Sequence, residues 1–239
     1  MGSSPELGGR IAVVTGATGG IGRAVAERLC AAGARVVLVA RKSAALRELA
    51  ASVRGVPVEA DVATEAGVAR VAAAVDVLGG DGADTVVHAA GAFELAPLAA
   101  TSVEAFDRMV AVNLRAAFLL VRRFVPGMVE RGSGHVVTIG SIAGRQPFPA
   151  NGAYSASKFG VRGMYAVLAA ELRGTGVRAT FVEPAATDTA LWDAVDRERN
   201  AGLPQRSAML SAEAVADAVL YAVTRPVDVL IPNILVERA

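Results

Sequence analysis

The sequence predicts an α/β chain of one domain: a doubly wound parallel sheet of about seven strands with helices on both faces. Three observations carry this. Seven short β-branched runs alternate with longer segments of 3.6-residue period along nearly the whole chain. The runs are apolar on both faces, as strands covered from both sides must be. The first run passes directly through a glycine-rich turn into a helical pattern, the strand–turn–helix step that opens such folds.

Composition agrees with one core. The chain has 239 residues, 53% of them apolar and 20% charged, with a net charge of +1. That is ample material for a single domain spanning 1–239, without the basic excess that a nucleic-acid partner would need. The one cysteine, Cys30, sits in the apolar helical pattern AVAERLCAAG, which suits a small buried thiol and rules out an internal disulfide. The N-terminus lacks the apolar centre of a signal peptide, and no run approaches the ~20 apolar residues that span a bilayer. A soluble cytoplasmic protein with no membrane partner is the expectation.

The first strand, IAVVT (11–15), leads into TGATGGIGRAVAERL, where Gly16, Gly20 and Gly22 are spaced G-x-x-x-G-x-G. Glycines here permit a tight turn and close approach of backbone amides to a pyrophosphate, and the helix N-terminus adds partial positive charge. This spacing resembles the cofactor loop, TGxxxGIG, of the classical short-chain dehydrogenase/reductase family. The resemblance implies a Rossmann-type fold, a nicotinamide cofactor held by Gly16, Thr18, Gly20, Ile21 and Gly22, and oxidoreductase chemistry.

The second strand, RVVLVA (35–40), ends at Ala40 followed by Arg41, where such folds meet the adenosine ribose. A carboxylate there would repel a 2′-phosphate and a cation would attract it, so NADP(H) is favoured over NAD(H). Arg41 with Lys42 also suits a solvated helix start. The third strand, VPVEA (56–60), runs into Asp61 and Val62, matching the family's Asp-Val pair beside the adenine. The fourth, TVVHAA (85–90), ends in HAAG where the family usually shows NNAG. Ala90 and Gly91 match, Ala89 replaces an asparagine, and His88 reads as a satisfied structural histidine at the end of a buried strand.

A long helical pattern over 104–131 carries Asn113 among apolar neighbours, where an amide needs a partner or marks a local kink. After the fifth strand, HVVTIG (135–140), comes Ser141, which could cap a turn. The next helix, over 152–173, opens with YSASK, and the i, i+4 spacing places Tyr154 and Lys158 on one face. Together these residues resemble the family's Asn-Ser-Tyr-Lys tetrad. The resemblance implies that Tyr154 is the general acid/base, that Lys158 holds the nicotinamide ribose, and that Asn113 positions a water in a proton relay. On chemical grounds Ser141 would hydrogen-bond the substrate oxygen. A phenol of pKa ~10 needs ~4 kcal/mol of preference for phenolate to drop by ~3 units. An ammonium ~4 Å away supplies ~4 kcal/mol at an effective dielectric of ~20 but ~1 in water. Lys158 is therefore expected to lower the Tyr154 pKa, provided the pocket is partly dry.

The sixth strand, VRATFVE (177–183), precedes Pro184 and Thr189, which match the family's PGxxxT stretch beside the nicotinamide, with Ala185 in place of glycine. Thr187 joins them as a cofactor contact by the same resemblance. The segment 187–210, with Leu191, Trp192, Met209 and Leu210, reads as a substrate lid or as a surface helix burying one side. Phe148 and Gln146 are further substrate contacts, and an apolar or aromatic carbonyl compound is the expected substrate. The seventh strand is expected over VDVLIP (227–232). The expected activity is NADPH-dependent carbonyl reduction or secondary-alcohol oxidation. NAD-dependent alcohol oxidation, a non-catalytic NADP(H) sensor, and reduction of carrier-bound 3-ketoacyl chains are the alternatives. The last would use Arg145, Arg197, Arg199 and Arg206 as a docking patch. Relatives usually pair through the helices at 104–131 and 152–173, so a homodimer or homotetramer is expected.

Overall fold

A computed structural model describes residues 6–41, 44–195 and 203–239. Lys42, Arg197, Arg199 and the middle of the 187–210 segment lie outside the described residues. Seven parallel strands form one sheet: β1 (Ile11–Thr15), β2 (Arg35–Ala40), β3 (Val56–Glu59), β4 (Thr85–His88), β5 (Gly134–Ile139), β6 (Val177–Pro184) and β7 (Asn233–Val236). Their spatial order is β3-β2-β1-β4-β5-β6-β7. The order reverses between β1 and β4, so a crevice opens beyond the carboxyl ends of those two strands, where doubly wound sheets bind ligands.

The two-faced pattern of the strands separates two cores. In β1, Ile11 and Val13 face a cluster built with α3 (Glu65–Val77), α5 (Ala116–Glu130) and α6 (Gly152–Glu171). Ala12 and Val14 face another cluster, with α1 (Gly20–Ala31), α2 (Ala44–Val53) and α7 (Ala212–Val223). Successive side chains of a strand point to opposite faces, so one apolar run serves both layers. Thr64, Ser102 and Ser211 cap α3, α4 (Val103–Val110) and α7 with side-chain hydrogen bonds.

Two expectations change. The single helix expected over 104–131 is α4, then a π turn over Ala111–Arg115, then α5. Asn113 is the middle residue of the π turn, and its side chain turns inward to bond the strand-end loop, so the local irregularity and the packing hydrogen bond coincide. The last strand lies beyond VDVLIP. Pro226 precedes that run and Pro232 ends it, and carbonyls in it and just before it are taken from the side: Arg178 Nη1 donates to the carbonyls of Arg225, Pro226 and Val229, and Thr180 Oγ1 to that of Ile231. Proline removes a ladder donor, so pairing with β6 begins at Asn233, opposite Phe181. The other six strands agree with expectation to within a residue or two at their ends.

Candidate active site

The turn after β1 is built by steric necessity. Gly16 has φ +66°, and a Cβ there would lie 2.7 Å from the backbone of Ala90 in the loop after β4. A Cβ on Gly22 would lie 2.2 Å from the Gly16 carbonyl oxygen, so only glycine lets α1 pack against the turn. Helix α1 starts behind Gly19, and no side chain caps its first-turn amides. Those amides face a groove of about 680 Å³ lined by Gly16, Thr18, Gly20, Ile21, Gly22, Arg41, Asp61, Val62, Ala90, Gly91 and Thr189. Arg41 is exposed at the groove wall and makes no ion pair among the described residues. Asp61 Oδ1 accepts from the Ala63 amide, which fixes the start of the segment that leads into α3.

A second cavity, of about 590 Å³, adjoins the groove and shares Ile21, Ala89–Ala92, Thr189 and Leu191 with it. Ser141, Tyr154, Lys158, Pro184 and Thr187 line this pocket, together with Phe148, Trp192 and Leu210. Gln146, a candidate substrate contact, does not line it, nor does Met209, which was read as lid or as buried helix face and is buried. Ala185 has no positive φ, so alanine replaces the family's glycine there without backbone strain. Trp192 is oriented by its indole N–H, which donates to the Thr187 carbonyl. Phe93 stands edge-on to both Tyr154 and Trp192, with ring centroids 4.9 Å and 5.0 Å away. Phe93, Leu95 and Asn151 are pocket residues that sequence reasoning missed, as is Arg108 in the groove. An aromatic two positions beyond HAAG was the one signal available for Phe93.

Asn113 lies behind the pocket wall. Its Oδ1 accepts from the Ala92 amide at 2.8 Å, and its Nδ2 donates to the Ala92 carbonyl and to Ser157 Oγ, both at 2.9 Å. These bonds use both polar ends of the side chain, which is 1% exposed as a residue, and clamp the loop after β4 against α6. Ser141 Oγ accepts from the Ala143 amide at 3.1 Å, which leaves its hydroxyl proton free to be donated.

The electrostatics overturn one expectation. Burial pushes the Tyr154 phenol up to about 12, against a smaller lowering by its hydrogen bond with Ser141. Burial likewise pulls Lys158 down to about 8. Lys158 Nζ donates to the Ile139 carbonyl at 3.0 Å and stands 5.6 Å from the centre of the Tyr154 ring. Desolvation therefore wins at both groups, and the favoured state is a neutral phenol beside a weakened cation.

His88 is less satisfied than expected. Its Nδ1 pairs with Thr15 Oγ1 at 3.1 Å, but Nε2 is buried without a hydrogen-bond partner. Burial, and then the charge of Lys158, bring its pKa down to about 3. Of the arginines proposed as a docking patch, Arg145 lies 3.5 Å from the buried carboxylate of Glu183, and Arg206 pairs with Asp188 and Asp193. No described helix is long and apolar enough to cross a membrane.

The sequence profile of the family described as short chain dehydrogenase matches residues 10–200. The chain is 40% identical to glycine betaine reductase ATRR of Emericella nidulans over 97% of its own length, and spans 19% of that much longer protein. A metagenomic short-chain oxidoreductase solved in complex with NADP superposes with a TM-score of 0.83 at 32% identity, covering 98% of this chain and 99% of the other. Serine dehydrogenase in its closed form with NADP+ superposes at 0.86 with 30% identity, covering 94% and 93%. With the glycine turn, the groove and the Ser-Tyr-Lys wall, these likenesses make the chain a member of the short-chain dehydrogenase/reductase family of oxidoreductases.

Proposed function

We propose that the protein is an NADPH-dependent carbonyl reductase, working in reverse as a secondary-alcohol dehydrogenase, with Tyr154 as the general acid/base. One observation carries this reading: the groove and the pocket share a wall at Ala89–Ala92, so a dinucleotide lying on the α1 N-terminus would end beside Ser141, Tyr154 and Lys158. The uncapped first turn of α1 suits a pyrophosphate. NADP(H), when bound, supplies or takes the hydride. Ser141 donates to the carbonyl oxygen, and Tyr154 delivers the proton that the forming alcohol needs. Its raised pKa keeps the phenol protonated for reduction. Lys158 stays partly charged near neutrality and biases Tyr154 as that proton leaves. In this reading it also holds the nicotinamide ribose. The side chain of Asn113 is already committed, so any part in relaying protons through water falls to its backbone.

The preference for NADP(H) rests on Arg41, exposed at the groove wall where β2 ends in Ala40 rather than a carboxylate. A carbonyl panel read by loss of NADPH absorbance, repeated with NADH, tests both statements. NADPH turnover with a clear advantage over NADH supports them, and an Arg41→Asp variant reverses that advantage. NADH preferred by the unaltered protein contradicts the cofactor assignment, and no turnover with either contradicts the reductase. A homo-oligomer paired through α4, α5 and α6 accompanies this reading. Phe106, Phe118, Phe159 and Val167 leave apolar surface exposed on those helices, and light scattering checks the assembly.

A further inference from the structure

Among the polar side chains of the pocket beside Tyr154 that the reaction above does not use, Asn151 is buried and carries an atom without a partner. Asn151 precedes α6 in the N-cap position and is 7% exposed. Asparagine is among the best capping residues, yet this side chain makes no cap bond. Its Oδ1 is buried without a partner, and no described residue bonds its Nδ2. The backbone is fully engaged: the Asn151 amide donates to the Phe148 carbonyl, and its carbonyl accepts from the Ser155 amide. The nearby pocket wall is apolar, formed by Phe93, Leu95, Phe148 and Trp192. An unmatched amide in such a wall is unfavourable unless something that enters the pocket completes it.

We infer that Asn151 determines substrate specificity: its Nδ2, the end of the carboxamide that is not sealed off, donates a hydrogen bond to the substrate, so the preferred substrates are carbonyl compounds carrying a hydroxyl or other oxygen acceptor close to the reacting carbon. This inference rests on the reading of the site as a carbonyl reductase. Ser141 and Tyr154 take the reacting oxygen, and Asn151 Nδ2, three positions before Tyr154, donates to the neighbouring oxygen. A pocket with a buried polar group left unpaired discriminates strongly against an analogue that lacks the matching group.

The test pairs acetophenone with 2-hydroxyacetophenone, which differ by the hydroxyl. The protein is expected to favour the hydroxyketone in kcat/KM by about tenfold or more. Asn151→Ala should lower the hydroxyketone value about tenfold further than the acetophenone value, chiefly through KM, while Asn151→Gln, which keeps an amide donor, retains the preference. Equal losses on both ketones in Asn151→Ala, or no preference in the unaltered protein, overturn the inference. Trp192 is the only tryptophan of the chain and lines the pocket, so quenching of its fluorescence reports binding of each ketone independently of turnover. Tighter binding of the hydroxyketone without turnover would uphold Asn151 and reject the reductase. Equal binding with turnover would do the reverse.

Discussion

At the scale of single residues, burial sets the chemistry of Tyr154 and Lys158 more than their spacing does. A phenol raised to about 12 and a lysine lowered to about 8 give, on the proposed reading, a proton donor for reduction whose neighbouring charge fades in mild alkali. The kcat/KM for ketone reduction is expected to fall as pH rises through about 8, as Lys158 loses its proton. A profile flat to pH ~10 would contradict it. The same lysine burdens the fold. Its folded pKa lies below the unfolded value of 10.5, so the penalty is full below about 8 and disappears as pH rises from there to 10.5. That shift corresponds to about 3 kcal/mol. Lys158→Met is therefore expected to lose activity and yet melt a few degrees higher, even after losing the bond to the Ile139 carbonyl. Differential scanning calorimetry at neutral pH checks this, and a lower Tm would show that the lysine supports the fold. Spacing alone could place these two groups on one face. It could not reveal the sign of the Tyr154 shift, which depends on how completely the surrounding strands and loops exclude water.

At the scale of elements, two irregularities hold the site. The π turn lets Asn113 reach inward and clamp Ala92 with paired bonds while also holding Ser157. Asn113→Ala would leave the amide and carbonyl of Ala92 without their partner, and is expected to destabilise by about 3 kcal/mol in urea unfolding. A change under ~1 kcal/mol would mean that the loop after β4 is held in another way. At the sheet edge, Glu183 is fully buried beneath Arg145 and Arg162 and accepts from Asn233 Nδ2 at 2.9 Å, which joins β6 to β7. Glu183→Ala is expected to cost about 3 kcal/mol by leaving those partners unpaired. This edge is also where sequence reading failed. VDVLIP is the longer apolar run, but Pro232 cannot donate and Arg178 and Thr180 claim the neighbouring carbonyls, so the shorter NILV pairs instead. Those claims come from side chains about 50 positions away.

At the scale of the whole molecule, most of the fold was legible because the signal was repeated: six strands, the glycine turn and the Ser-Tyr-Lys wall each follow from local pattern. The unread parts, Phe93, Arg108 and Asn151, have ordinary local sequence and gain meaning only where separate segments meet around the two cavities. The two histidines of the chain give a global expectation. Both are buried and neutral, with pKa values lowered from 6.5 to about 3. The unfolded chain takes up their protons first, so their stabilisation is present above 6.5 and lost as pH falls towards 3. Near pH ~5 each should cost about 2 kcal/mol. The Tm should drop between neutral pH and that point, and a variant carrying Asn at both positions should drop less. A parallel fall in both proteins would assign the acid sensitivity to other groups.

The central claim, that Tyr154 gives the proton in an NADPH-dependent reduction, is tested most directly by comparing the protein with Tyr154→Phe on one ketone, with NADPH affinity measured alongside. Turnover is expected to fall about 10² to 10⁴-fold with little change in NADPH binding. A phenylalanine variant that reduces the ketone at near the original rate would contradict it.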